Sequence, residues 1–437
     1  MKIPQFIKSN LLLKITSVNA LVIGVRLVIS FFIQRLYAQI VGEAGIYKIG
    51  QLQTLTQMLT SITTLGVFNG VVKYVAEHRE DKEQLQKLFS SSFVFVTIGS
   101  VVASIVLFAF SGYWSDYLFS SKEFTYLIKL VAIIVPFIAV QRVFSGVVNG
   151  LSKYKKFAKI ELVSYLLSSA LTVYFLFQYN IDGVLVAIAI TPAIQFSVML
   201  FLFLKILKEY VQFNKIKFRL PLAKSLLAFS LMSFVSTILL GFVEIDIRDL
   251  LATKMTEADA GIWTAMTNIS KNYMVFVGSV LTLYVIPKFA SIYTQTDFTK
   301  ELLSIYKTLL PIFGVGMLCI YIFRDFVIEL IYPGFNEMSQ LFKWQLLGDF
   351  IRLASIILAH QFLAKKMVRN FIFSEVLSLA LFYGMSYYFV DSWGVEGVVL
   401  AHFIRYIIYF VVVLLLVYRY FHIQRKKEIP SENSTLQ

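Results

Sequence analysis

The chain has 437 residues, of which 58% are hydrophobic and only 15% are charged, and its mean hydropathy is +0.74. Soluble domains are about half apolar and about one quarter charged, so this composition excludes an ordinary soluble protein. Apolar runs recur along the whole length, and such a chain holds about twelve spans of about 20 residues each. The sequence therefore predicts a polytopic integral membrane protein without room for a soluble catalytic domain.

Twelve helices are predicted from the apolar runs and from the charged, Gly, Asn and Asp residues that separate them. The backbone of a spanning segment must satisfy its hydrogen bonds internally, and these runs are too long for barrel strands, so the predicted fold class is all-α. In chain order the predicted helices cover residues 11–39, 45–76, 86–112, 124–149, 157–179, 183–207, 221–252, 260–290, 301–324, 338–364, 370–390 and 396–421.

The formal net charge of +14 is distributed unevenly across the predicted membrane. About 27 Lys and Arg residues lie on the side of the two termini and about 7 on the other side, and cytoplasmic loops carry such an excess. We therefore predict that both termini are cytoplasmic. The basic clusters, among them Lys365, Lys366 and Arg369, are interpreted as anchors at anionic lipid headgroups, not as sites for nucleic acid.

An internal repeat relates the two halves of the chain. With a shift of 214 residues and no gap, residues 127–205 align with residues 341–419. Identities include Lys129/Lys343, Phe157/Phe371, Glu161/Glu375, Ser164/Ser378, Tyr174/Tyr388, Gly183/Gly397 and Ala187/Ala401. A repeat of six helices keeps the same orientation in both copies, related by an axis along the membrane normal. We predict an N-terminal lobe of residues 1–210 and a C-terminal lobe of residues 211–437 around a central cavity.

Six basic residues lie well inside predicted spans: Arg26, Arg142, Arg248, Lys271, Arg352 and Arg405. A cation in the hydrocarbon is disfavoured by about 3 kcal/mol even on a lenient scale, so it normally faces a wet cavity or a partner. Snorkelling and local ion pairing are the alternatives. Arg248 follows Glu244 by four residues, and Arg352 follows Asp349 by three residues on the same helix face.

The repeat helps to separate these interpretations, because residues that serve the scaffold should recur in both halves. Three cations instead align with uncharged residues: Arg142 with Ile356, Arg352 with Ile138 and Arg405 with Thr191. Charges that break the symmetry indicate a binding site for one ligand, and their sign predicts an anion such as a phosphate or diphosphate. Asp349, Glu244 and Asp246 are candidates for proton or ion coupling, or for neutralising a nearby Arg.

The sequence contains no recognisable catalytic constellation. The four histidines lack metal-ligand spacing, and no nucleophile elbow, phosphate loop or HExxH motif is present. We therefore predict a protein that is not an enzyme and that has no catalytic residue, metal or cofactor.

Four segments resemble one family of membrane transporters. They are TTLGVFNGVVKYVAEH (63–78), FRDF (323–326), WQLLGDFIR (344–352) and AKKMVRNFIFSEV (364–376). These segments are similar to the Wzx-type flippases of O-antigen and enterobacterial common antigen units, in the multidrug/oligosaccharidyl-lipid/polysaccharide exporter superfamily. The similarity extends over nearly the whole chain.

The resemblance implies transport of an undecaprenyl-diphosphate-linked oligosaccharide from the cytoplasmic to the periplasmic leaflet of a bacterial inner membrane by alternating access. It also implies membrane lipids, a polysaccharide polymerase and chain-length machinery as partners. Arg248 in IRDLLA and Lys365 in AKK match basic residues of the family pattern, and Arg26 and Arg352 fall where that pattern has a cation. Lys271 in NISKNY departs from the pattern, which has an acid there.

Three other functions stay open at this point. A multidrug exporter of the same superfamily is the first, although exporters of organic cations are expected to present acids and aromatic residues in the cavity. An unrelated transporter of sugar phosphates or other solutes is the second. A membrane enzyme such as a polysaccharide polymerase or ligase is the third, and it would need a long outer loop that the predicted helices do not leave.

Overall fold

The structure, a computed structural model, describes residues 11–151, 154–211 and 216–432. Every regular element in this part of the chain is a helix, as predicted. The α-helices are α1 (Leu11–Ile40), α2 (Gly42–Ile62), α3 (Phe68–Glu77), α4 (Lys82–Ala109), α5 (Ser111–Phe119), α6 (Thr125–Gly150), α7 (Tyr154–Tyr210), α8 (Ala223–Ser233), α9 (Leu240–Lys254), α10 (Glu257–Val280), α11 (Ile286–Ala290), α12 (Gln295–Ile322), α13 (Arg324–Ile331), α14 (Phe342–Ala364) and α15 (Val368–Glu432).

Three short elements of other helix types continue this series. The π-helical stretch Phe234–Leu239 joins α8 to α9, and a second one, Leu281–Val285, joins α10 to α11. A 3-10 helix, Asn336–Leu341, leads into α14. The predicted helices 7 and 8 are therefore single spans with an irregular turn inside them.

Eight segments of the described residues are long and apolar enough to cross a membrane. Two of them, Lys156–Lys205 and Val368–Gln424, have 50 and 57 residues. A span needs only about 20 residues, so each of these two segments holds two spans. The predicted all-α polytopic membrane architecture is confirmed.

Both long segments double back at a single residue. Asn180 in α7 has φ 54° and ψ −135°, and Gly394 in α15 has φ 54° and ψ −134°. The two positions differ by 214, which is the repeat shift read from the sequence. Residues with a side chain rarely adopt a positive φ, and Gly adopts it freely. The chain therefore makes the same helical hairpin in both halves.

A glycine beside each hairpin allows its two helices to touch. A Cβ atom on Gly183 would lie 2.2 Å from the carbonyl oxygen of Phe175, and one on Gly397 would lie 2.5 Å from that of Phe389. Neither separation leaves room for a methyl group, so the close approach requires glycine. Hairpin packing thus explains the Gly183/Gly397 identity.

Internal contacts divide the chain into unit 1 (Met1–Asp246) and unit 2 (Ile247–Gln437). The boundary falls inside α9, whereas the repeat arithmetic places it between residues 210 and 211. The assignment of the two lobes to residues 1–210 and 211–437 stays a prediction.

Unit 1 packs α3, α4, α6 and α7 around an apolar core that includes Val71, Leu88, Val147 and Phe203. Helix α6 approaches α3 closely, because a Cβ on Gly150 would lie 2.7 Å from the carbonyl oxygen of Val72. This packing holds α6 and α7 side by side, and both carry charged residues inside the membrane.

Unit 2 has its own apolar core, formed by α11, α14 and α15 together with the second π-helical stretch. Leu353 and Phe362 of α14 pack there with Phe289 and Val413. Since these residues face the core, the remaining face of α14 presents Asp349 and Gln345 to α10 and α15.

Candidate functional site

Arg26 of α1 forms an ion pair in the membrane part of unit 1. Its Nη1 atom lies 3.0 Å from Oε2 of Glu161 in α7, and its guanidinium lies 4.9 Å from the centre of the Tyr165 ring. The Tyr165 hydroxyl donates a hydrogen bond to the backbone carbonyl of Arg26. The side chains of Arg26 and Glu161 remain 40% and 31% exposed. Arg26 and Glu161 are therefore paired with each other but remain accessible to a ligand.

A second cation lies near the same carboxylate. The Arg142 guanidinium in α6 stacks on the Phe68 ring at 3.7 Å, and Glu161 is close enough to act on its charge. Arg26, Arg142 and Glu161, called the Glu161 group here, combine two positive charges with one negative charge. The group can therefore attract an anion.

Asp349 of α14 is the centre of a polar network in unit 2, and its side chain is fully buried. Its Oδ2 atom accepts hydrogen bonds from Ser270, Tyr273 and Gln345, on α10 and α14. Its Oδ1 atom lies 3.1 Å from Nε2 of His402 and 3.7 Å from Nη1 of Arg352. The structure thus contains the local ion pair between Asp349 and Arg352 that was one of the alternatives for Arg352.

Arg405 extends this network along α15. Its Nη2 atom donates to Nδ1 of His402 at 3.4 Å and to the Tyr406 hydroxyl at 3.1 Å, and its guanidinium stacks on Phe382 at 4.0 Å. Because Nδ1 of His402 accepts, Nε2 carries the proton and donates to Asp349. The Asp349 network, named here for Asp349, Arg352, His402 and Arg405, is thus linked by hydrogen bonds and ion pairs.

Glu375 balances the charge of this network. It lies near Arg405 and Arg352, and its carboxylate accepts a hydrogen bond of 2.6 Å from Tyr409. Two carboxylates therefore face two guanidinium groups. Arg352 keeps 27% of its side chain exposed, so it is the member of the network that a ligand can reach.

Arg248, which the sequence interpretation placed in the binding site, is 1% exposed. Its Nε atom donates to the Thr264 hydroxyl at 3.1 Å, and its guanidinium lies 5.4 Å from the Trp263 ring centre. Contact with a ligand would require these packed side chains to move. Its binding role stays a prediction.

The two lysines differ in their surroundings. Lys271 of α10 is exposed. Lys365 follows α14 and lies outside the spanning segments. Its Nζ atom donates a hydrogen bond of 2.9 Å to the carbonyl oxygen of Ala290 and lies 3.9 Å from the centre of the Tyr293 ring. Burial lowers the pKa of the Lys365 ammonium group. Lys365 thus ties α14 to the end of α11.

Of the other coupling candidates, Asp246 accepts a hydrogen bond from the Tyr117 hydroxyl of α5, and Glu244 is half-buried. Both lie in unit 1, apart in sequence from the cations grouped above. Their coupling role stays a prediction.

The structure gathers five of the predicted site residues into two groups: Arg26 and Arg142 in unit 1, and Asp349, Arg352 and Arg405 in unit 2. The other five lie outside these groups, and each group also has members that the sequence interpretation did not assign to a site. Glu161 was interpreted as scaffold because it recurs as Glu375, and yet it holds Arg26. His402 lies three residues before Arg405, a spacing that places both on one helix face. That spacing was the available signal, but it did not indicate Asp349 as the partner.

Comparison with known proteins relates the chain to polysaccharide biosynthesis proteins and lipid III flippases. Residues 12–293 match the family described as polysaccharide biosynthesis protein. The lipid III flippases of Escherichia coli (strain K12) and Shigella flexneri are each 26% identical over 378 residues, covering 86% of this chain and 91% of each relative.

Solved structures of other membrane transporters have a fold similar to that of this chain. An inward-facing multidrug resistance MATE family transporter of the MOP superfamily has a TM-score of 0.76 at 14% identity, over 92% of this chain and 95% of that chain. The lipid II flippase MurJ in an inward closed conformation has a TM-score of 0.72 at 15% identity, over 91% and 87%. At these identities the similarity shows the fold alone.

Proposed function

Because the chain belongs to the polysaccharide biosynthesis protein family, we propose that it is a flippase for an undecaprenyl-diphosphate-linked oligosaccharide. The substrate is an O-antigen or enterobacterial common antigen repeat unit, moved from the cytoplasmic to the periplasmic leaflet by alternating access. The 26% identical lipid III flippases, which the chain covers over 91% of their length, support this substrate class.

The observation that carries the proposal is the Glu161 group. A diphosphate cannot enter hydrocarbon alone, because an uncompensated charge there is strongly disfavoured. Arg26 and Arg142 supply two cations inside unit 1 against the single carboxylate of Glu161, and Arg26 is 40% exposed. An incoming diphosphate can take over the Nη1 atom of Arg26 that Glu161 now holds.

In unit 2, Arg352 and Arg405 are the proposed phosphate ligands, with Arg352 reached first. The Asp349 network holds both guanidinium groups in place until a ligand arrives. We assign the ion-coupling role to Asp349, because its carboxylate joins Arg352 to His402. Lys271, Lys365 and Arg248 are proposed to contact the diphosphate or glycan at other stages of the cycle.

A multidrug exporter of the same superfamily is not favoured. The Glu161 group has two arginines and one glutamate, whereas exporters of organic cations are expected to present an excess of acids. The protein crosses the membrane several times. We further propose that both termini are cytoplasmic and that the protein contacts a polysaccharide polymerase and chain-length machinery.

The test replaces Arg26 and Arg352 separately by Ala and by Lys in a strain that lacks its own flippase. Each charge-assisted contact contributes about 2 kcal/mol, which is roughly a thirtyfold change in binding, so surface glycan should fall at least tenfold in both Ala variants. The Lys variants should retain part of the output, since the charge remains while the guanidinium fork is lost.

Arg79→Ala is the matched control, because Arg79 is exposed and pairs only loosely with Glu80 at 3.7 Å. It should leave glycan output unchanged, with all variants at equal membrane levels by immunoblot. Normal glycan output from both Arg26→Ala and Arg352→Ala would contradict the proposed role of the two arginines.

A further inference from the structure

A basic cavity of about 550 Å³ lies in unit 2, and none of its lining residues belongs to the Asp349 network. It forms where the link between α14 and α15 and the first turn of α15 meet residues 416–423 of the second helix of α15. Its lining includes three cations, Lys366, Arg369 and Arg419, and the largely apolar side chains of Leu416, Tyr420 and Ile423. The basic cavity therefore offers both cationic and apolar contacts.

Among the residues that the structure describes, the three cations of the basic cavity have no protein counter-ion. In the part of the chain that the structure describes, no side-chain hydrogen bond or ion pair engages Lys366, Arg369 or Arg419, and no carboxylate lines the cavity. Lys365 next to them is different, since it donates to Ala290 and stacks on Tyr293. Like charges held together repel each other, and an anion between them relieves that repulsion.

The backbone at Lys366 supports a role for its side chain. Lys366 has φ +54°, with Met367 N donating to Phe362 O at 2.7 Å and Lys366 N donating to Leu363 O at 3.3 Å. This is a helix C-terminal motif in which the left-handed residue is usually Gly. A lysine in this conformation is disfavoured, and such a residue suggests a function for its side chain.

From these observations we propose that the basic cavity binds one anionic phospholipid. The phosphate lies among Lys366, Arg369 and Arg419, and the start of one acyl chain lies along Leu416, Tyr420 and Ile423. A free phosphate would pair with the cations but leave the apolar side chains of the cavity exposed to water. A phospholipid can pair with the cations through its phosphate and contact the apolar side chains through an acyl chain. The Lys and Arg excess predicts that this side of the membrane is cytoplasmic, where anionic lipids are abundant.

This site differs from a general attraction between basic loops and the membrane surface. A diffuse attraction depends on the number of charges, so three cations removed elsewhere would weaken it equally. A built site depends on these three cations at these positions. The proposal does not depend on the transported substrate.

The experiment is native mass spectrometry of the purified full chain in detergent, titrated with dioleoyl phosphatidylglycerol. The wild-type chain should retain one such lipid, and dioleoyl phosphatidylethanolamine should bind weakly. The combined variant Lys366→Gln, Arg369→Gln and Arg419→Gln should bind phosphatidylglycerol roughly 100-fold more weakly, because three cations near an anionic headgroup are lost. Thermal unfolding checks that the variant is folded.

The matched control combines Lys208→Gln, Lys300→Gln and Lys307→Gln. It removes the same number of charges from exposed positions in helices α7 and α12, and it should bind phosphatidylglycerol like the wild type. Lys366→Gly is a second variant in case the triple variant unfolds: it relieves the backbone and removes one cation. It should unfold at a higher temperature without lipid and gain less from added phosphatidylglycerol.

Several outcomes would overturn the proposal. Equal binding by both triple variants would mean a diffuse attraction. Equal stabilisation by inorganic phosphate and phosphatidylglycerol would mean a free-anion site. Displacement of the bound lipid by undecaprenyl diphosphate at equal concentration would assign the cavity to the transported substrate.

Discussion

Glu161 and Glu375 occupy equivalent positions in the repeat, but their surroundings differ. Glu161 is 31% exposed and pairs with Arg26. Glu375 accepts from Tyr409 and lies beside the Asp349 network, whose central carboxylate is fully buried. Unit 1 thus keeps both members of its charged pair open to a ligand, whereas unit 2 buries its central carboxylate and leaves Arg352 partly exposed.

The residues that align with the Asp349 network in unit 1 are uncharged. Under the shift of 214, Asp349 aligns with Val135, Arg352 with Ile138, His402 with Ile188 and Arg405 with Thr191. Val135 and Ile138 are buried, so the same place in unit 1 is filled by ordinary apolar packing. A buried ionic network can often be replaced by apolar residues without loss of stability, and this supports the role in transport that is proposed for the network of unit 2.

The largest effect on stability should come from replacing the central residue of the Asp349 network. Asp349→Val introduces the residue that unit 1 has at this position, and it leaves Arg352 without its carboxylate partner. We expect a loss of about 3–5 kcal/mol in the free energy of unfolding, measured by denaturant titration in mixed micelles. A loss below about 1 kcal/mol would show that the carboxylate is not needed to hold the guanidinium groups.

A smaller loss is expected when the network is replaced as a whole. The combined variant Asp349→Val, Arg352→Ile and His402→Ile copies unit 1 and leaves Arg405 beside Glu375. It should regain about 2 kcal/mol relative to Asp349→Val alone, because no uncompensated charge is left buried. A strain whose only flippase is this variant should also fail to assemble surface glycan. A triple variant no more stable than the single one would contradict the comparison of the two units.

The smallest effect is expected in unit 1. Glu161→Gln removes the carboxylate that pairs with Arg26, but both side chains are partly exposed and water screens the pair. We expect a change of about 0–1 kcal/mol in the free energy of unfolding, measured by the same titration. A loss as large as that of Asp349→Val would mean that the Glu161 group is a structural ion pair like its counterpart.

Much of the fold follows from local sequence patterns. Apolar runs predict the helices, and the repeat predicts a correspondence that extends to the backbone angles of Asn180 and Gly394. The ion pair between Asp349 and Arg352 was also predictable, because both residues lie on one face of one helix. Such predictions need only spacing along a single element.

The site itself depends on contacts between helices, and spacing along the chain does not give those. Arg26 and Glu161 are 135 residues apart, and the sequence offers no rule for the rotation of α1 against α7. Tyr273 and His402 reach Asp349 from α10 and α15 in the same way. The π-helical stretch Phe234–Leu239 was also missed, because it contains no Gly or Pro that would distinguish it from regular helix.

The two helical hairpins also affect how the chain enters the membrane during synthesis. Since one residue makes each turn, both helices of a hairpin can insert together, and only the few residues at the tip must cross the hydrocarbon. The second tip carries Asp391 and Glu396, which pair with Lys254 and Trp344. Lys254 and Trp344 precede the second hairpin in the chain, so both are already synthesised when Asp391 and Glu396 insert. The partners of these two acids are therefore available when the second hairpin enters the membrane.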